Sequence, residues 1–149
     1  MKRRALFTGT FDPFTTGHDA IVRRSLKLTD ELVIAIGNNP QKKTLFSIEE
    51  RLLAIQRVYE RLDCVSVIPY DTLTMDLAKM LQVDFIVRGI RNFTDFEYEK
   101  VMADVNRKLS GIETVFLFSE PEYAFISSSL IRELITFNKD ISHLTPIIK

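Results

Sequence analysis

Four stretches of this 149-residue chain carry side chains suited to handling phosphate. The first, Gly9-Thr10-Phe11-Asp12-Pro13-Phe14-Thr15-Thr16-Gly17-His18, follows a short apolar run and sets a histidine at the start of a helix. A helix terminus presents backbone N–H groups and the positive end of a dipole to an anion, and Gly9 and Gly17 let backbone and phosphate approach closely. The plainer alternative is a strand-to-helix turn in which Pro13 and Gly17 serve only their dihedral angles. The second stretch, Pro40-Gln41-Lys42-Lys43, is either a solvated lysine pair or a mobile point charge for phosphate. In the third, the run Phe85-Ile86-Val87 passes directly into Arg88-Gly89-Ile90-Arg91, which aims guanidinium forks out of a strand end. Two such forks suit bidentate phosphate contact, against the alternative of surface ion pairs with Asp95 or Glu97. The fourth, Ile126-Ser127-Ser128-Ser129, opens a helix; capping needs one hydroxyl, leaving the others and the first-turn amides for a polyphosphate. Neither a G-x-x-x-x-G-K-[ST] loop nor a G-x-G-x-x-G turn is present.

These loops need a scaffold that brings them together. Ala5–Phe7, Leu32–Ile36, Val65–Ile68, Phe85–Val87 and Val115–Phe118 read as strands apolar on both faces, as in a parallel sheet covered on both sides. Ile48, Leu52, Ile55, Tyr59 and Leu62 trace one helix, with Ser47 and Glu50 forming an S-x-x-E capping box. Leu73, Leu77, Met80 and Leu81 mark a second; Tyr98, Val101, Met102, Val105 and Leu109 a third; Leu130, Ile131, Leu134 and Ile135 a fourth. Alternating strands and helices predict a single doubly wound, Rossmann-like α/β domain over residues 1–149, with right-handed crossovers. In the common order 3-2-1-4-5 its five-stranded parallel sheet has its switch point between strands one and four, where ligands bind. His18 and Ser127, more than a hundred positions apart, then face one crevice.

Twenty basic residues balance twenty acidic ones, so no global field recruits nucleic acid or an anionic membrane, and any positive potential is local. The single Cys64 excludes an internal disulfide and a cysteine-based zinc cluster, and its setting reads as a buried thiol at the start of a strand. No apolar run is long enough for a membrane span or a signal-peptide core, which points to the cytoplasm.

Thr15-Thr16-Gly17-His18, preceded by G-T-F-D-P, resembles the T/H-x-G-H signature of the nucleotidylyltransferase superfamily. Ile126-Ser127-Ser128-Ser129 followed by Arg132 resembles its second signature. Arg88-Gly89-Ile90-Arg91 with Asp95-Phe96-Glu97-Tyr98-Glu99 is similar to a block of the bacterial phosphopantetheine adenylyltransferases that cytidylyltransferases lack, and the likeness runs from Arg4 to about His143. The resemblance implies AMP transfer from ATP to 4'-phosphopantetheine, giving dephospho-coenzyme A and pyrophosphate, with Mg2+ held mainly by the ATP phosphates. It implies a catalytic set of His18, Lys42, Arg91 and Thr10. For ATP it implies Thr10, Phe11, His18, Gly89, Ile90, Arg91 and Glu99, with the run Tyr123, Ala124, Phe125, Ile126, Ser127, Ser128 and Ser129. For the acceptor it implies Thr10, Lys42, Thr74 and Arg88. A homohexamer and feedback binding of coenzyme A belong to the same expectation. Thr8 stands where the family usually has proline, Thr16 where asparagine is common, Thr74 where an apolar residue is typical and Tyr123 where tryptophan often occurs. Met102 and Asn106, at i and i+4 on one helix face, would line the acceptor arm's channel. His143, with no partnering motif, reads as ordinary surface or core.

An anionic acceptor phosphate needs neither a general base nor a covalent intermediate to attack the α-phosphorus. The protein must align two polyanions and neutralise the charge that develops. Two other functions fit the same residues: a nucleotide-binding sensor or assembly module without turnover, and an adenylyltransferase for nicotinamide or nicotinate mononucleotide.

Overall fold

The computed structural model describes residues 1–146. Five parallel strands, β1 (Arg4–Gly9), β2 (Glu31–Gly37), β3 (Val65–Tyr70), β4 (Phe85–Ile90) and β5 (Glu113–Phe118), form one sheet in the order β3-β2-β1-β4-β5. The five helices between and after them are α1 (Thr16–Ser25), α2 (Ile48–Tyr59), α3 (Thr74–Met80), α4 (Phe93–Ser110) and α5 (Ser128–Thr136). Among the described residues no helix is long and apolar enough to cross a membrane.

Because successive strand side chains point to opposite faces, the apolar runs feed two cores. Ala5 and Phe7 of β1 and Leu32, Ile34 and Ile36 of β2 pack with Ile21 and Val22 of α1 and Ile55 and Tyr59 of α2. Leu6, Val33, Ala35 and Ile86 pack on the opposite face with Leu77 and Ala78 of α3. A side chain as fully buried as Ile34 or Ile55 contributes roughly 1.5–3 kcal/mol. A third cluster joins Ile131 of α5 to Ile126, Ile141 and Leu144, holding the segment 141–144 against α5.

The structure departs from the sequence reading at several elements. Only the inner strands are buried on both faces: β3 and β5 are the sheet's edges and remain half-exposed, because no further strand lies beyond them. The stripe on α4 is not core, since none of its residues is buried; Tyr98, Val101 and Leu109 are more than half exposed. Cys64 is half-buried, in the turn before β3. Ser47 caps α2 by accepting from Glu50 N–H at 3.1 Å, but the return bond of a capping box is not made among the described residues. The reciprocal box occurs instead at α1. There Thr15 Oγ1 accepts from His18 N–H (3.1 Å) while Thr15 N–H donates to His18 Nδ1 (3.0 Å).

Candidate active site

The carboxyl ends of β1 and β4, the switch point of this strand order, open into two adjoining cavities. One, of about 320 Å3, gathers Thr10, His18, Lys42, Arg88, Arg91 and the serines 127–129. The other, of about 360 Å3, contains Tyr70 and Thr74 together with Met102 and Asn106 of α4. They share Thr8, Gly9, Thr10, Lys42, Arg88 and Glu99, so two elongated ligands could enter from different directions and meet beside Lys42 and Arg88.

His18 sits among aromatic rings, with centroids 5.0 Å from Phe11 and 5.3 Å from Phe14. The bond that Nδ1 accepts from Thr15 N–H leaves the proton of the neutral ring on Nε2, so the imidazole is a donor at the edge away from the helix. Burial, then the nearby Arg88 and Arg91 guanidiniums, lower its pKa to about 3. A neutral ring beside a polyanion site can still donate one hydrogen bond, without the desolvation cost of a buried cation.

The arginines choose carboxylate partners within the protein. Arg88 grips Glu99 bidentately, Nε to Oε2 at 2.9 Å and Nη2 to Oε1 at 2.7 Å. Its Nη1 donates to the carbonyl and hydroxyl of Thr8, an extra acceptor that proline at this position would lack. Burial opposes the Arg88 charge, but Glu99 outweighs it and holds the pKa above its ordinary value. Arg91 pairs with Asp95, at 3.0 Å for Nε to Oδ2, and adds a long bond from Nη1 to the Ile126 carbonyl. The ion-pair alternative is therefore realised at Asp95, and by Glu99 rather than Glu97. Lys42 has no carboxylate partner among the described residues; its Nζ lies 3.0 Å from Thr10 Oγ1. It is the cation with the least to give up on meeting a phosphate.

The helix termini differ from their sequence reading. At α1, Thr16 N–H is taken by the Leu144 carbonyl and His18 N–H by the cap, leaving Gly17 N–H as the first-turn amide without a partner among the described residues. Gly17 has no positive φ, and a Cβ there would meet Thr15 Oγ1 at 3.4 Å. At α5, Ser127 caps Leu130 N–H, and Ser128 and Ser129 N–H have no partner among the described residues, so this terminus is the better anion site. Of the other two serine hydroxyls, Ser128 is committed, donating to the Pro13 carbonyl, whereas Ser129 accepts from Arg132 and keeps its own O–H to donate.

Other predicted residues fall less directly on the site. Gly9 lines both cavities and also makes room for an aromatic ring, since a Cβ there would lie 2.8 Å from Phe11. Phe11 lines the first cavity but is 3% exposed, its ring packed against Phe7, Phe14 and His18 on a backbone with φ of 52°. Gly89, Tyr123 and Ile126 line the first cavity; Ile90, Ala124 and Phe125 do not. Ile90 is buried, and Phe125 projects outward. Thr74 lines only the second cavity, bonded to Tyr70 Oη at 3.2 Å, so its hydroxyl is partnered where an apolar side chain is typical. Thr16 Oγ1 donates to the Leu144 carbonyl. Exposed His143 takes no part. Sequence reasoning missed Asp12 and Arg51, both buried beneath the rim; neither a lone carboxylate in a loop nor an arginine on an amphipathic helix signals burial.

A family model for cytidylyltransferase-like proteins matches residues 6–134, which defines the protein as a nucleotidyltransferase. A phosphopantetheine adenylyltransferase from Bacteroides thetaiotaomicron is 52% identical over 144 residues, covering 97% of this chain and 95% of its own. One from Bacteroides fragilis is 53% identical, with 97% and 96% covered. Among solved structures, a bifunctional NMN adenylyltransferase/ADP ribose pyrophosphatase from Francisella tularensis, complexed with AMP and a manganese ion, shares the fold. Its TM-score is 0.72 at 18% identity, over 97% of this chain and 44% of that one. The chain belongs to the phosphopantetheine adenylyltransferase family.

Proposed function

We propose that this enzyme transfers AMP from ATP to 4'-phosphopantetheine, yielding dephospho-coenzyme A and pyrophosphate. The observation that carries the reading is the meeting of two cavities at Thr10, Lys42 and Arg88. ATP occupies the one bounded by His18, Tyr123 and the α5 terminus, and the acceptor arm the one bounded by Thr74, Met102 and Asn106. An acceptor phosphate oxygen bonds to the α-phosphorus as the bridge to the β-phosphate breaks in line with it, and pyrophosphate leaves. No proton moves from the nucleophile, so the protein contributes alignment and charge neutralisation. His18 Nε2–H donates to an α-phosphate oxygen. Lys42 moves from Thr10 to bridge the two reactants, and Arg91 shares the charge. Arg88, held by Glu99 and Thr8, turns its remaining Nη2–H toward the acceptor phosphate.

Among the described residues no group of three or more His, Cys, Asp or Glu could hold a metal ion. The carboxylates of the first cavity, Asp95 and Glu99, are engaged by Arg91 and Arg88. The donor set therefore suits a Mg2+ that arrives on ATP, with Thr10 and Ser129 hydroxyls able to hold its waters. Bound there, the ion would neutralise charge on the departing pyrophosphate.

The apolar face of α4 supports self-association, and the assembly we propose is the homohexamer. Coenzyme A, which carries the same arm, would compete at the second cavity as a feedback ligand. The direct test is pyrophosphate release from Mg-ATP supplied with 4'-phosphopantetheine or, separately, with nicotinamide or nicotinate mononucleotide. Release with phosphopantetheine alone supports the assignment. Release only with a mononucleotide replaces the acceptor, and release with none of them returns the chain to a binding role.

A further inference from the structure

The proposed chemistry leaves two buried charged side chains unused, and both attach to the loop that carries Lys42. Asp12, 2% exposed, accepts from Leu45 N–H with Oδ2 and from Phe46 N–H with Oδ1, each at 2.8 Å. Arg51, 4% exposed, donates from Nη1 to the carbonyls of Thr10 (2.8 Å) and Gly37 (3.0 Å). Its Nε donates to those of Phe46 and Ser47, at 3.2 and 3.3 Å. Phe46 thus has its N–H held by the carboxylate and its C=O by the guanidinium. At the loop's other end Asn38 N–H donates to the Tyr70 carbonyl (2.8 Å), and a turn brings Lys42 N–H to Asn39 O (3.0 Å). Lys42 lies between these anchorages and reaches back to Thr10, whose carbonyl is one of those Arg51 holds.

Neither group lines either cavity, so neither can touch a phosphate. Fold stability alone is a poor reason for them, because buried charges seldom outperform apolar side chains of similar volume. Two diverging N–H donors met by the two oxygens of one planar group do, however, define a unique loop geometry. We propose that Asp12 is a positioning residue for Lys42, with Arg51 as its counterpart: together they fix the closing end of the 38–47 loop and the Thr10 peptide, so that the ammonium and its hydroxyl partner stay in register at the junction of the cavities. Asn at position 12 could accept only one of the two N–H groups and would turn its own NH2 toward the other. This inference rests on the role proposed for Lys42 in AMP transfer.

The test is a double-mutant cycle of Asp12→Asn against Lys42→Ala, read in pyrophosphate release and in the acceptor's KM. Asp12→Asn alone should lower kcat/KM for 4'-phosphopantetheine by about tenfold or more with KM for ATP changed less than about twofold. In the Lys42→Ala background it should add less than about a further twofold, because the residue it positions is gone. Equal losses in both backgrounds would mean a general structural role and overturn the proposal. A second readout needs no acceptor. In Asp12→Asn, amide exchange at Leu45 and Phe46 should quicken, and the Lys42–Thr10 contact should be lost by NMR; a contact that persists refutes the idea whatever the substrate proves to be. Failure of the wild-type enzyme to use phosphopantetheine would instead fall on the proposed reaction. If Asp12→Asn does not fold, Arg51→Lys, which keeps the charge but not the fork, enters the same cycle: a loss confined to the Lys42 background supports the positioning role, and equal losses overturn it.

Discussion

Lowering the pH tests the geometry of His18 without altering a residue. Its Nδ1 is occupied as an acceptor, aromatic rings surround it and two guanidiniums stand nearby, all of which resist a second proton. With a pKa of about 3 only about one ring in a hundred is protonated at pH 5, whereas an unshifted ring near 6.5 would be about 97% protonated. The shift also has a stability consequence. The unfolded chain binds this proton below pH 6.5 and the folded chain does not until about pH 3, so the contribution is complete above 6.5 and is lost as the pH falls through that window. The slope is at most about 1.4 kcal/mol per pH unit, or at most about 2 kcal/mol between pH 6.5 and 5. The assay is 15N NMR of the imidazole in the ligand-free protein, paired with denaturant unfolding of wild type and His18→Ala across pH 5–8. The ring should stay neutral with its proton on Nε2 down to pH 5, and the wild type should lose more stability than the variant over that range. A midpoint near 6.5, or a proton on Nδ1, would refute the reasoning.

In steady-state kinetics, His18→Ala should lower turnover by about two to three powers of ten with ATP affinity nearly unchanged, since the lost hydrogen bond is one that strengthens in the transition state. Denaturant unfolding of Arg88→Met should show a loss of about 1–3 kcal/mol, because the half-buried carboxylate of Glu99 is left unpaired. Adding Glu99→Gln should recover most of that stability while leaving activity low; a double variant as unstable as the single would contradict the pairing argument. Val101→Glu with Val105→Lys, on the exposed apolar face of α4, should shift the mass seen by light scattering toward the monomer, and an unchanged mass would remove that face from the assembly.

Much of this molecule is legible along the chain because the relevant physics is local. Uninterrupted apolar runs make inner strands, as in Leu32–Ile36, and a 3.6-residue period makes α2. The run from Gly9 to His18 contains its own strand exit, helix cap and imidazole, and alternating strands and helices restrict the topology enough to bring four loops to one rim. What pairing each side chain would find there is not local. Arg88 selects Glu99, eleven residues on, by the geometry of α4 against β4, and Asp12 meets amides more than thirty residues away. The Ser128 hydroxyl is taken by the Pro13 carbonyl, more than a hundred residues away, through the docking of α5 beside the first loop. An apolar stripe such as that on α4 has the same sequence pattern whether it faces a core or solvent, so only its place against α3 and the sheet decides that it lies exposed. Residue types and their period thus determined the elements and the chemistry available. Tertiary packing decided which charges are already paired, where the imidazole carries its proton, and which lysine is free to meet a phosphate, because each depends on distances between groups remote in the chain.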